Sequence, residues 1–394
     1  MLLTASALGF AAALLVAWGL LRAGFPMPDG GGRAQSVDGL RGFLACAVAI
    51  HHLIIWFGAI SLGRGWQAPE MPLLNQFGAG SVALFFMITA WLLYPKIEKG
   101  LGARDWVQLY VGRAFRILPM VALAIAVVIL LAWLKSGTAL TAEQVPGLFL
   151  WLFGLKLPAI GGVSDAARIN ASVFWYLGQE WFFYVVILPL LYVAVRLWMR
   201  LARPGWLILL LLVASWAVSI IWPLRGEDYF VARSPWAFRL FLPVLLAGMA
   251  IAAVLRSGLL DRLIASPLFA WASLALFAAT VWFCQFPYGW SLPGFLPFML
   301  CLASGRHYGA LLSARPVLLL GNLSFSIYVM HPELLYALFG FDTALRSAMG
   351  GMSALVTVPA VMVAVVLLAA LVHLLAERPM IALGNRVRKA IQRA

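Results

Sequence analysis

The chain has 394 residues, 64% hydrophobic and 11% charged, which excludes an ordinary soluble domain, where charged residues make up about a quarter. Its net charge of +14 does not point to nucleic acid, because the Lys and Arg residues sit between apolar runs and form no continuous basic face. The three cysteines (Cys46, Cys284 and Cys301) lie inside apolar runs without a CxxC or ligand spacing, so they read as small core residues, and no metal site or disulfide is expected.

A membrane span needs about 20 apolar residues. Eleven apolar runs follow one another, near 1–21, 39–60, 78–95, 117–134, 173–197, 205–223, 236–255, 266–284, 289–303, 317–339 and 352–376. This pattern predicts an all-α, polytopic membrane helical bundle. The first run is apolar from Met1 with no basic segment before it, and reads as an uncleaved span. A weaker stretch, 146–160, contains Pro158 and reads as an interfacial or re-entrant piece of the loop 135–172. With the C-terminus placed in the cytoplasm, 20 of the 28 Lys and Arg residues fall on the inner side and 8 on the outer side. That asymmetry is the one expected of cytoplasmic loops.

Ionisable residues at depth in a membrane are functional candidates. The second run reads SVDGLRGFLACAVAIHHLIIWFG and carries Arg41 at its inner end and His52 eleven residues later. Eleven residues make about three turns, so the two share one stripe about 16 Å apart, while His51 points about 80° away. Asp38 stands three residues before Arg41, at ion-pairing distance on a helix. The alternative is a topology anchor at Arg41 and a hydrogen-bonded core imidazole at His52. Glu180, in VFWYLGQEWFFYVVILP, and His331, in LSFSIYVMHPELLY, come out at a depth similar to that of His52. A structural ion pair or a protonated carboxyl is the alternative for Glu180, and a hydrogen bond beside Pro332 for His331. Arg113 and Arg116 stand three apart before the fourth run, on one face. Their forked guanidinium groups suit phosphate, although an inner-side basic cluster also accounts for them. Glu377-Arg378-Pro379 marks the end of the last helix.

Six segments in this order resemble integral membrane acyltransferase family three, whose members O-acylate cell-envelope glycans and some small molecules. VDGLRGFLACAVAIHH is similar to the family's DGLRG segment with an Arg, ten residues and a His. Arg41 and His52 match that spacing, and His51 is one short of it. ALFFMITAWLL resembles the family's FFVLSGFL-type helix, with Ala90 where the family often has Gly. RAFRILP places Arg113, Arg116 and Pro119; FWYLGQEWFFYVVILP places Glu180; LGNLSFSIYVMHPELL places His331; AERP places Glu377. The resemblance runs from about residue 36 to 380.

The resemblance implies an acyltransferase domain over 36–380, a ten-span core with both of its ends cytoplasmic. An extra N-terminal span with a cytoplasmic linker (1–35) precedes it, and a basic cytoplasmic tail (381–394) follows. It implies a bacterial inner membrane location and an acyl-CoA donor, acetyl-CoA above all, with Arg113 and Arg116 on its phosphates and no metal. Arg41, His52 and Glu180 are then the catalytic set. Arg41 orients the donor or stabilises charge, His52 serves as base or acylated nucleophile, and Glu180 orients His52 or activates the acceptor. His331 and Asp38 are assigned to the substrate. The implied acceptor is a glycan or glycolipid. Some relatives carry an esterase-type domain, so a separate esterase or polysaccharide-assembly partner is an implied alternative to direct transfer. A transporter or flippase of a glycan or small solute is the competing reading, since buried charges and helix-breaking prolines fit it equally. No inverted repeat is apparent. A scaffold subunit of a polysaccharide synthase gives no reason for the Arg41–His52 spacing.

Overall fold

The computed structural model describes residues 1–27, 35–61, 63–155, 157–221, 238–341, 347–348 and 351–393. Arg33 of the inner-side count, and Lys156, Arg225, Arg233 and Arg346 of the outer-side count, lie outside the described residues. Among the described residues the chain is helical with no strand, and its one isolated bridge joins Ile160 and Val163.

The helices in chain order are α1 (Leu2–Arg22), α2 (Gln35–Ser61), α3 (Pro72–Gln76), α4 (Ala79–Lys99), α5 (Ala103–Ser136), α6 (Val145–Leu152), α7 (Trp175–Phe182), α8 (Leu188–Trp198), α9 (Pro204–Ile221), α10 (Phe238–Ser257), α11 (Asp261–Ile264), α12 (Pro267–Phe283), α13 (Leu292–Ala303), α14 (Gly309–Leu312), α15 (Arg315–Phe339), α16 (Ala354–Val372) and α17 (Arg378–Arg393). Over its described residues, each of the eleven apolar runs falls mainly on helix. Eight helical stretches are long and apolar enough to cross a membrane. Pro267–Phe283 and Gly289–Ala303 are apolar but shorter. Large apolar side chains such as Leu15, Trp18, Leu210 and Trp271 are exposed on the outside of the bundle, where lipid is their natural solvent.

The centre of the bundle is the contact between α2 and α15. It is close because small residues face each other. A Cβ on Gly42 would press on the backbone of Leu320 and Gly321, and one on Gly321 would overlap the Asp38 carbonyl oxygen. Membrane helices gain most from such close approach, because lipid is as apolar as their own side chains. The glycines of the DGLRG segment are therefore a packing device. The same logic seats α10 on α4, where Gly248 meets the Met87 carbonyl, and α1 on α16, where Gly9 meets Val358.

Two helices contain a π turn. Phe183–Ile187 joins α7 to α8 and His373–Glu377 joins α16 to α17, and in both a proline, Pro189 or Pro379, follows two residues later. Proline cannot donate to the carbonyl four residues back, and the widened turn absorbs the missing bond without ending the helix. The expectation that Glu377-Arg378-Pro379 ends the last helix is thereby corrected: the helix runs on to Arg393. Stretch 146–160 forms the short α6, tied back by the Trp151 indole N–H donating to the Pro158 carbonyl at 3.0 Å.

Candidate active site

Two cavities lie along α2 and α15. The first, about 280 Å³, gathers Arg41 from α2, Lys96 from α4, Arg113 and Arg116 from α5, and Arg388 from α17. Against these five cationic side chains its wall carries a single carboxyl group, that of Glu180. Arg113 lies 4.9 Å over the Tyr184 ring, whose hydroxyl donates to Glu180 Oε1 at 2.7 Å. Arg116 lies over Phe325 at 5.9 Å. Arg41 is 3.7 Å from Asp38. Four guanidinium groups, Arg41, Arg113, Arg116 and Arg388, converge on one chamber, a donor set whose forked geometry suits phosphate oxygens.

The second cavity, about 490 Å³, is lined by His51, His52, Trp66, Trp175 and Tyr328, among others. His52 Nδ1 lies 3.1 Å from the Val48 carbonyl oxygen and 3.1 Å from His331 Nε2. His331 Nδ1 lies 2.9 Å from the Ile327 carbonyl. Carbonyl oxygens only accept, so both Nδ1 atoms carry protons. His331 Nε2 then accepts from His52 Nδ1–H, and the lone pair of His52 is left on Nε2. A histidine whose Nδ1–H is anchored and whose lone pair is on Nε2 has the tautomer of a general base or nucleophile. His51 is held similarly, through Nδ1 at 2.9 Å from the Leu74 carbonyl, with its ring pressed on Gly78 where a side chain would collide.

The wall of this cavity includes Ala171 and Ser172, whose φ values of 46° and 58° place them in the left-handed region. Their neighbour Asn170 donates to Glu333 Oε1 at 2.6 Å, both residues being buried. That bond ties the turn to α15 two residues beyond His331. Non-glycine residues in this conformation persist only where the surroundings hold them, and such sites cluster around function.

Tyr328 lines both cavities. Its hydroxyl donates to the Val173 carbonyl at 2.9 Å and its ring lies 6.1 Å from that of His331. One aromatic side chain thus forms part of the wall of the cationic chamber and of the histidine chamber. A family model described as an acyltransferase domain, acyltransferase family three, matches residues 35–374.

The chain belongs to acyltransferase family three. This acyltransferase is a multi-pass membrane enzyme. No curated protein matches it, and no solved structure does. The match begins after α1 and ends within the second π turn, so α1 and α17 lie outside it.

Within the acyltransferase, the trio expected at one depth divides. His52 and His331 meet directly, while Glu180 lies in the cationic cavity with its carboxyl on Tyr184. The side chain in hydrogen-bond contact with His52 is thus His331, while the Glu180 carboxyl is on Tyr184. His331, expected from the family resemblance to contact substrate, is 1% exposed, lines neither cavity and meets the His52 ring directly. Asp38, also expected at the substrate, pairs with Arg41 at the expected spacing, is half exposed and lies outside both cavities.

Sequence reasoning missed Arg388. Of the residues 381–394 read as a tail, 381–393 belong to an amphipathic helix packed on α5, with Gly384 against Phe115 and the Arg388 side chain against Gly112. The signal was present: Ile381, Gly384, Arg388 and Ile391 fall on one stripe at helical spacing. Glu377 also gains a role. Its Oε2 accepts from Ser326 Oγ at 2.6 Å and from His373 Nδ1 at 2.9 Å, and Asn322 Nδ2 meets His373 Nε2 at 3.2 Å. This buried chain ties the second π turn to α15.

Proposed function

We propose that the enzyme moves an acyl group, acetyl first of all, from cytoplasmic acyl-CoA to a hydroxyl of a cell-envelope polysaccharide or other glycan, in the bacterial inner membrane with its C-terminus cytoplasmic. The observation that carries this reading is Tyr328, the side chain shared by a chamber rich in positive charge and a chamber holding a base.

Arg41, Lys96, Arg113, Arg116 and Arg388 hold the diphosphate and 3′-phosphate of the donor by charge-assisted hydrogen bonds. The flexible pantetheine arm passes Tyr328 and brings the thioester carbonyl to His52. His52 Nε2 takes the proton of the acceptor hydroxyl as its oxygen attacks the carbonyl carbon. The tetrahedral intermediate then collapses, the C–S bond breaks, and the imidazolium returns the proton to the thiolate, leaving an ester and free CoA-SH. His331 holds the His52 Nδ1–H, so that Nε2 is the nitrogen that takes the proton and gives it back. Membership of an acyltransferase family favours this chemistry over transport without transfer.

The test is transfer of labelled acetyl from acetyl-CoA to an envelope glycan by the purified enzyme. His52→Ala is expected to lower kcat by about 10²–10⁴-fold, the usual contribution of a general base, while the protein still inserts and folds. Full activity in that variant overturns the reading.

A further inference from the structure

A third cavity, about 520 Å³, lies beyond the histidine chamber. The same helices that build the other two continue into it. On α2 the order is Arg41, His52, Trp56; on α15 it is Phe325, His331, Tyr336; on α5 it is Arg113 and then Lys135. From Phe325 to Tyr336 is eleven residues, about 16 Å of helix rise. This vestibule therefore stands at the end of the bundle opposite the arginines. Trp66 lines both it and the histidine chamber, as Tyr328 joins the other two.

Its chemistry is specific. Trp56, Trp66 and Tyr336 form an aromatic wall, with Trp56 edge-on to Trp66 at 4.9 Å and to Tyr336 at 6.1 Å. Trp56 is 5% exposed, and its indole N–H has no acceptor among the described residues. Lys135 Nζ donates to Tyr336 Oη at 2.8 Å and to the Gly340 carbonyl at 3.0 Å. That leaves one ammonium N–H unused, and no carboxylate partner lies within ion-pair distance among the described residues. Arg168 lies over Trp66 at 5.9 Å, and Asp165, the one carboxylate of the cavity wall among the described residues, is engaged by it at 3.1 Å. The wall thus offers flat apolar faces and a surplus of hydrogen-bond donors and positive charge. Its complement is a ring with an apolar C–H face and an acceptor-rich, anionic substituent.

We propose that this vestibule binds the acceptor as a saccharide residue bearing a carboxylate, and presents a hydroxyl of that residue or its neighbour past Trp66 to His52. The proposal rests on the acyl-transfer reading above and adds the class and the seat of its acceptor. Lys135 and Trp56 would supply donors to the carboxylate and ring oxygens, and Trp66 the stacking face.

The experiment compares a glucuronate-containing oligosaccharide with its carboxyl-reduced counterpart as acceptors of acetyl from acetyl-CoA, in the purified full-length enzyme. The glucuronate acceptor is expected to have the lower KM, by about tenfold, the scale of one charge-assisted contact. Lys135→Gln should remove that difference by raising the KM for the acid form alone, and Lys135→Arg should restore it. Equal KM values for the two acceptors in the wild type, or a Lys135→Gln effect equal on both, overturns the vestibule proposal while leaving acyl transfer intact. If the wild type transfers acetyl to neither, the acyl-transfer reading fails first. Quenching of tryptophan fluorescence by the two oligosaccharides, with and without Lys135→Gln, then decides the site by itself.

Discussion

Arg388 reaches the cationic cavity from a helix that begins after the family match ends. Its side chain packs on Gly112, and its Nε is buried without an acceptor among the described residues. A buried guanidinium N–H without a partner is costly, and a phosphate oxygen in the cavity would satisfy it. Arg388→Gln is expected to raise the KM for acetyl-CoA by about tenfold, since one charge-assisted hydrogen bond is worth roughly 1.5–3 kcal/mol in a favourable site. The KM for acetyl-pantetheine, a thioester without phosphates, should not change. A parallel rise for both donors would show that the residue acts on folding and not on phosphate. At the same scale, the choice of His52 over His51 by the ten-residue gap from Arg41 meets the structure partway. Both imidazoles line the chamber, and His52 alone among the two contacts His331.

The pairing of α2 with α15 decides whether His52 finds His331. Gly42 and Gly321 set the closeness of that crossing, and neither position has room for a side chain. Gly321→Val is expected to lower Tm, at a cost of about 1–3 kcal/mol or more from overpacking, and to abolish transfer even though every reactive group is present. Gly58→Ala, on the same α2 but facing open space, serves as the control and should leave both unchanged. A thermal melt and a transfer assay on the two variants check this; wild-type behaviour in Gly321→Val would show that the crossing tolerates separation. The two π turns work at this scale too. Each keeps a helix continuous past a proline while carrying polar groups inward, Tyr184 in the first, and His373 and Glu377 in the second. From sequence, Pro379 after a run of apolar residues reads as a stop, because the widened turn that rescues the helix leaves no compositional mark.

For the whole molecule, the three cavities lie in series from the arginines through the histidines to the aromatic vestibule, and that series gives the enzyme a direction. On the proposed topology, argued from the distribution of Lys and Arg, the arginine end faces the cytoplasm. Single cysteines introduced at the exposed Ser164, in the vestibule wall, and at the exposed Arg386, on α17, are therefore expected to react with a membrane-impermeant thiol reagent from opposite sides of the membrane, Ser164 from outside. Labelling of both from one side would reverse or break the series.

The eleven apolar runs and the Asp38–Arg41 pair were legible in the sequence, because hydrophobic length and the 3.6-residue period are local properties of the chain. Periodicity also gives each residue a depth, and His52 and His331 do lie level enough to touch. It does not give the rotation of one helix against another. That azimuth turned Glu180 toward Tyr184 and the arginines, set the buried His331 directly against His52, and folded a basic tail back onto α5 so that Arg388 joined the cavity. Those placements depend on which glycines let which helices close, and only the packed bundle contains that information.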